Sequence, residues 1–152
     1  MLPNDRLVCV LIDAKDGSFK DWPLHITIVP WFRLELTSSD LVKQLSSKLK
    51  DLESFSVTLG EEAKMGRNKT VTLVNLPTPL EEIESCVRRF LKDHGAWLVD
   101  ETTQRPRSFK PHVTYQKGIG LKSGERIAIN ELQLVEQKGD KKLVVGTINL
   151  NE

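Results

Sequence analysis

Only three histidines occur in the 152-residue chain, and two of them stand in matching settings: Pro23-Leu24-His25-Ile26-Thr27-Ile28 and Pro111-His112-Val113-Thr114-Tyr115. In each, a threonine follows the histidine by two positions. An imidazole with its ordinary pKa of ~6.5 gives or takes a proton near neutral pH. A threonine hydroxyl is a neutral donor for an oxygen that carries negative charge. Two such pairs brought into one volume would suit phosphodiester displacement. That reaction needs a base for the attacking oxygen, an acid for the leaving oxygen and donors for the non-bridging oxygens. His25 and His112 are therefore the candidate catalytic acid and base, with the two roles unassigned, and Thr27 and Thr114 are the candidate phosphate-binding residues.

Other chemistries find less support. Two histidines with no Asp, Glu or Cys at ligand spacing fall short of the three or four ligands that zinc takes, so no metal and no cofactor are expected. The chain has no GxSxG, and the glycines of 117–125 lack both GxGxxG and GxxxxGKS/T spacing. Cys9 and Cys86 form no CxxC and read as free, buried or half-buried thiols.

The matched segments need strands to display them. In 24–29, Leu24, Ile26 and Ile28 alternate with His25, Thr27 and Val29, which places the imidazole and hydroxyl together on the face away from the aliphatics. In 112–115 the same alternation sets His112 and Thr114 against Val113 and Tyr115, and Tyr115 is expected in the core. Residues 7–12 are continuously apolar and suit a strand covered on both faces. Residues 55–60, 70–75 and 97–99 read as further strands, with 13–18, 61–69 and 100–110 as turns or loops. The tail reads as two long strands, 126–136 and 142–150, joined through a tight turn at Gly139-Asp140.

Two helices are expected. The first covers 38–53, with Leu41, Leu45, Leu49 and Leu52 on one face and Thr37 as N-cap ahead of Asp40. The second starts with Thr78 as N-cap, Pro79 in the first turn and Glu81 completing a capping box, carries an apolar stripe from Leu80 to Leu91 and stops at Gly95. His94, in its last turn, reads as structural.

Length and composition bound the rest. At 152 residues the chain fits a single domain, 1–152, and its 39% hydrophobic, 28% charged composition is that of a soluble globular protein. A formal net charge of +1 excludes a globally basic nucleic-acid coat, so phosphate contacts must come from local clusters. The longest apolar run, 7–12, is too short to span a bilayer and follows no leader, so a cytoplasmic protein without membrane association is expected.

The tetrads HITI and HVTY resemble the paired signature of the two-histidine (2H) phosphoesterase superfamily, which includes RNA 2′,3′-cyclic phosphodiesterases and the 2′,5′ RNA ligases. FKPHVTY is similar to that family's second motif with its Phe-x-Pro-His lead, and ELQLVEQKGDKKLVVGTINL is similar to its closing hairpin. The resemblance spans nearly the whole chain, though only the tetrads and the Pro-His lead are specific. It implies an α+β fold of two lobes related by a pseudo-twofold, with antiparallel sheets around a central cleft and two main helices outside. It also implies a bilobal phosphoesterase domain over 1–152, with His25 and His112 as acid and base and Thr27 and Thr114 on phosphate. The implied activity is metal-independent hydrolysis of 2′,3′-cyclic phosphates or of 2′,5′ linkages in RNA ends or small nucleotides, by a monomer with no protein partner. The lead GSFKDWPLHI lacks the longer Arg-rich stretch often seen in the RNA-ligase branch, which leaves substrate and branch open. An RNA- or nucleotide-binding module with a phosphate pocket but no turnover and a 2′,5′ RNA ligase running the reverse reaction are the alternatives.

Candidate substrate-binding residues surround the tetrads. Arg105, Arg107 and Lys110 lead into His112 and Lys117 follows it, forming a basic rim for an RNA backbone; Arg67 and Lys69 are weaker candidates. Among the aromatics that bracket the tetrads, Trp31 and Phe32, placed just past Pro30 where the strand is expected to end, are the candidates to stack on a nucleobase.

Overall fold

The computed structural model describes residues 5–13, 16–66, 69–101 and 109–151. Its elements in chain order are β1 (Arg6–Leu11), β2 (Ser18–Phe19), β3 (His25–Arg33), α1 (Ser38–Lys48), β4 (Phe55–Lys64), β5 (Thr70–Val74), α2 (Thr78–Asp93), β6 (Trp97–Leu98), β7 (His112–Thr114), β8 (Arg126–Ile129), β9 (Glu131–Lys138) and β10 (Lys141–Asn149). All strand pairings are antiparallel, in the order β2-β10-β9-β1-β3-β7-β5-β4-β8, with β6 added beside β3. This is the α+β architecture with two main helices that the sequence implied. The strands join one ten-stranded sheet, and β3 and β7, the two tetrad strands, are neighbours at its middle.

The sheet curls. β8 ends at Ile129 and β9 begins at Glu131, yet β8 closes one end of the strand order while β9 lies near the other end, beside β1. Only a sheet bent back on itself lets adjacent residues do this. The expected single strand over 126–136 is therefore broken at Asn130, where the chain changes partners and the Asn130 carbonyl accepts from Leu150 N–H.

Two apolar clusters occupy the two faces. The larger takes Val8 and Val10 of β1, Ile26, Ile28 and Phe32 of β3, and the buried stripes of both helices, including Leu41, Leu45, Ile83 and Leu91. The smaller, on the opposite face, holds Leu7, Cys9, Leu11 and Val135 with Phe19, Trp22, Trp31 and Val144 packed around them. β1 is buried over all six of its residues because it is covered on both sides, as its unbroken apolar run predicts.

The helix ends show where sequence signals hold. Thr37 caps α1 by accepting from Asp40 N–H at 3.1 Å, but the helix stops at Lys48 rather than continuing to residue 53. Leu49 and Leu52 continue the apolar spacing because the turn after the helix still packs on the core, so spacing alone overshoots the end. α2 starts one residue earlier than expected: Pro77 is the N-cap, its carbonyl accepts from Leu80 and Glu81, and no side chain caps the helix. The Pro77 ring holds φ at −76° in an extended conformation that suits this position, so Thr78 is already helical. Gly95, at φ +80°, ends the helix after His94, whose Nδ1 bonds the Phe90 carbonyl at 2.8 Å.

Candidate active site

β3 is where the site is built. Ile26 pairs with Val113 of β7, so the antiparallel register sets His25 opposite Thr114 and Thr27 opposite His112. Ile26 and Val113 are fully buried on the helix side, which turns all four polar side chains to the other face. Direct cross-strand neighbours have Cβ atoms about 4.5–5.5 Å apart and diagonal ones roughly 7–8 Å apart. The two imidazoles thus occupy one diagonal of a square and the two hydroxyls the other, a spacing that admits one phosphate between the rings.

Each ring is held the same way. His25 Nδ1 lies 2.8 Å from the Pro23 carbonyl and His112 Nδ1 lies 2.8 Å from the Lys110 carbonyl, in both cases two residues upstream. A carbonyl only accepts, so Nδ1 carries the hydrogen and Nε2 is left facing the cleft. Nε2 is then a proton acceptor when the ring is neutral and a donor when it is charged. The proline in each motif has a task in this: it keeps the lead-in extended, which suits the position of the anchoring carbonyl.

His25 carries a further partner. The Trp22 indole stacks on it at 4.2 Å between centroids and 29° between planes, and Lys142 Nζ sits 5.5 Å from the same indole. Burial lowers the His25 pKa below its ordinary value; the hydrogen bond to Pro23 opposes this and the nearby His112 reinforces it.

Beyond Thr27, β3 bulges twice. Val8 and Cys9 are consecutive but face Val29 and Thr27, and the next step, Arg6 to Val8, spans Phe32 to Val29. Each step inserts an extra residue in β3. The first insertion swings Val29 into the core and Pro30 toward the cleft; the second restores the alternation, so Trp31 returns to the cleft side and Phe32 to the core. The strand does not end at Pro30 as expected. Phe32 is wholly buried and cannot stack on a nucleobase, which corrects that candidate, whereas Trp31 does line the cleft.

The resulting cleft encloses about 630 Å³ and contains His25, Thr27, His112 and Thr114 together. Its rim includes Trp22, Lys69, Thr70, Tyr115, Gln116 and Lys117. Tyr115 is on the cleft rather than in the core, because β7 ends at Thr114 and the chain turns; its hydroxyl donates to Glu62, which raises the phenol pKa, and its ring packs where Gly120 leaves no Cβ. Lys110 is exposed and does not line the cleft; its backbone carbonyl, not its ammonium, serves the site. Arg105, Arg107 and Arg67 lie outside the described residues.

Lys69 and Thr70 arrive by a route the sequence concealed. Residues 61–64 read as a polar turn, yet β4 continues through Lys64 and pairs with Thr70 of β5. This arm of the hairpin has little core beneath it, so it shows no apolar alternation, and it carries the cation to the cleft. A larger groove of about 720 Å³, lined by Lys48, Glu81, Cys86, Arg89 and His94, lies along the helices on the side away from the tetrads. Among the described residues no group of three or more His, Cys, Asp or Glu side chains is placed to hold a metal ion, and no helix is long and apolar enough to cross a membrane.

The profile of the 2'-5' RNA ligase superfamily matches residues 10–150. The chain belongs to that superfamily. Among solved structures, E. coli LigT complexed with 3'-AMP superposes with a TM-score of 0.65 at 14% identity, covering 99% of this chain and 100% of LigT. TT0787 of Thermus thermophilus gives 0.64 at 15% identity, covering 95% and 97% of the two chains. The crystal structure of a phosphoesterase gives 0.63 at 14% identity, covering 99% and 100%. At these identities the likeness establishes the shared fold, in keeping with the two-histidine phosphoesterase resemblance of the tetrads. No curated protein matches the sequence.

Proposed function

We propose that the chain is a phosphodiesterase that opens 2′,3′-cyclic phosphates at RNA ends or on nucleotides, working over 1–152 as one catalytic domain. The observation that carries this reading is the square of β3 and β7: His25 and His112 on one diagonal, Thr27 and Thr114 on the other, with Nδ1 of each ring held by a backbone carbonyl. LigT, which shares the fold, has been crystallised with 3'-AMP and with phosphate, which supports a nucleotide phosphate as the ligand of this cleft.

His25, kept neutral by burial, is assigned the base. Its Nε2 takes a proton from water as the water oxygen bonds to phosphorus. The bond from phosphorus to O3′ breaks, and O3′ takes the proton of His112 Nε2, leaving a 2′-phosphate and a 3′-hydroxyl. Thr27 and Thr114 donate to the non-bridging oxygens as charge accumulates there. The regiochemistry follows the family resemblance, and hydrolysis is favoured over ligation because water outcompetes a 5′-hydroxyl in an open cleft.

The test is incubation with nucleoside 2′,3′-cyclic monophosphates and a short RNA with a cyclic end, in excess chelator, resolving 2′- from 3′-phosphate products. Turnover to the 2′-phosphate that disappears in both His25→Ala and His112→Ala is expected. Binding without turnover would replace the enzyme by a nucleotide-binding module, and turnover of 2′,5′-linked substrates alone would move the assignment to that branch.

A further inference from the structure

A second cavity of about 490 Å³ adjoins the catalytic cleft and shares with it a wall made of Trp22, Gln116 and Lys117. Both volumes lie within the range of about 300–1,000 Å³ typical of small-molecule sites. The outer cavity offers Phe19 as an apolar floor and Ser18, Asp16 and Gln116 as hydrogen-bonding groups, the mixture that a nucleoside requires.

Lys117 sits on the wall in an unusual conformation. Gln116 and Ile119 exchange both backbone hydrogen bonds, at 2.8 and 3.0 Å, so Lys117-Gly118 is a two-residue hairpin turn with φ of +53° and +77°. Such turns favour Asn, Asp or Gly at their first position, and Lys117 is the one non-glycine residue with positive φ among the described residues. Strain at such a position points to a use for the side chain. Its ammonium meets Asp21 at 3.0 Å across the wall, but the two side chains are 78% and 74% exposed, so the ion pair holds the wall closed only weakly.

We propose that the two cavities form one trough for the 3′ end of an oligonucleotide. The cyclic phosphate lies between His25 and His112, the penultimate nucleoside occupies the outer cavity, and Lys117 leaves Asp21 to hold the phosphodiester that joins the two nucleosides. This rests on the cyclic-phosphate reading and adds to it that the substrate is a chain of two or more nucleotides, selected by Lys117.

The experiment compares a 2′,3′-cyclic mononucleotide with a dinucleotide ending in the same cyclic nucleotide, by kcat/KM, in the wild type, Lys117→Asn and Ser18→Trp. Asparagine keeps the turn and removes the charge, and tryptophan fills the outer cavity from its edge. The wild type is expected to favour the dinucleotide by roughly tenfold or more, the scale of a charge-assisted bond to phosphate. Both variants should shrink that ratio toward one, and Lys117→Asn should keep or raise the melting temperature. A wild-type ratio near one, or a ratio that neither variant moves, overturns the proposal. Titration with the 2′-phosphorylated mono- and dinucleotide products reads the same preference as a ratio of Kd values without turnover. Loss of turnover with that preference intact would refute the cyclic-phosphate reading and retain the trough, whereas equal Kd values would refute the trough whatever the enzyme turns over.

Discussion

His25 and His112 have matching anchors, but the Trp22 stack belongs to His25. The indole that fixes the His25 ring also keeps water from it, and desolvation is the largest cause of its lowered pKa. Replacing Trp22 with leucine admits water and should raise the His25 pKa toward ~6.5, moving the acid limb of the kcat/KM profile to higher pH. The indole face stacked on His25 also favours the imidazolium form, and its loss opposes the shift, so an NMR titration of His25 decides which influence wins. The same perturbation makes stability depend on pH. The folded pKa lies below the unfolded one, so the contribution is intact above ~6.5 and is lost as the pH falls through the window below it. A urea midpoint that drops across that window in the wild type, and less so in His25→Gln, is the expected result. For the hydroxyls, Thr27→Val and Thr114→Val should each lower kcat about 10²-fold with little change in KM, as removal of a transition-state donor does. A rise in KM at constant kcat would instead make them ground-state binders.

At the scale of elements, the sheet has to deliver two short strands side by side, and much of that was readable from pattern. The alternation of Ile26 and Ile28 with His25 and Thr27 identified the cleft face because one side of β3 rests on the helix core. The fate of Trp31 and Phe32 was not readable, because it depends on two bulges set by the partner strand β1 rather than by β3's own residues. Lys69 was marked only as a weaker candidate, and the strand pairing that brings it to the cleft was hidden, since a hairpin arm with little core beneath it has no apolar pattern to reveal it. Gly146 is a bulge position of the same kind. β10 shifts register between Val144 and Gly146, and a Cβ at Gly146 would overlap Val42 Cγ2 of α1. Val42 is β-branched and stiff, so Gly146→Ala should destabilise the protein by roughly 1–3 kcal/mol, read as a lower urea midpoint at unchanged slope. Adding Val42→Ala should recover part of that loss; strictly additive losses would mean that the two sites do not meet.

For the molecule as a whole, a net charge of +1 implies little long-range attraction for RNA, so affinity must come from cations at the cleft itself. Among the described residues, Lys69 and Lys117 are the lysines that line it. Each phosphate neutralised on a single strand contributes roughly −0.7 to the slope of log K against log salt. Two contacts then give about −1.4 for a cyclic-ended oligonucleotide, and Lys69→Gln or Lys117→Asn should each flatten the slope by about half. The measurement also judges Arg105 and Arg107, which the sequence marked by proximity to His112 and which lie outside the described residues. If Arg105 and Arg107 join the contact, two further phosphates are neutralised and the slope for a longer RNA steepens to nearly −3. The double variant Arg105→Gln/Arg107→Gln would then return it to the dinucleotide value. If the slope stays near −1.4 whatever the RNA length, recognition is confined to the trough, and the arginines belong to the solvated surface.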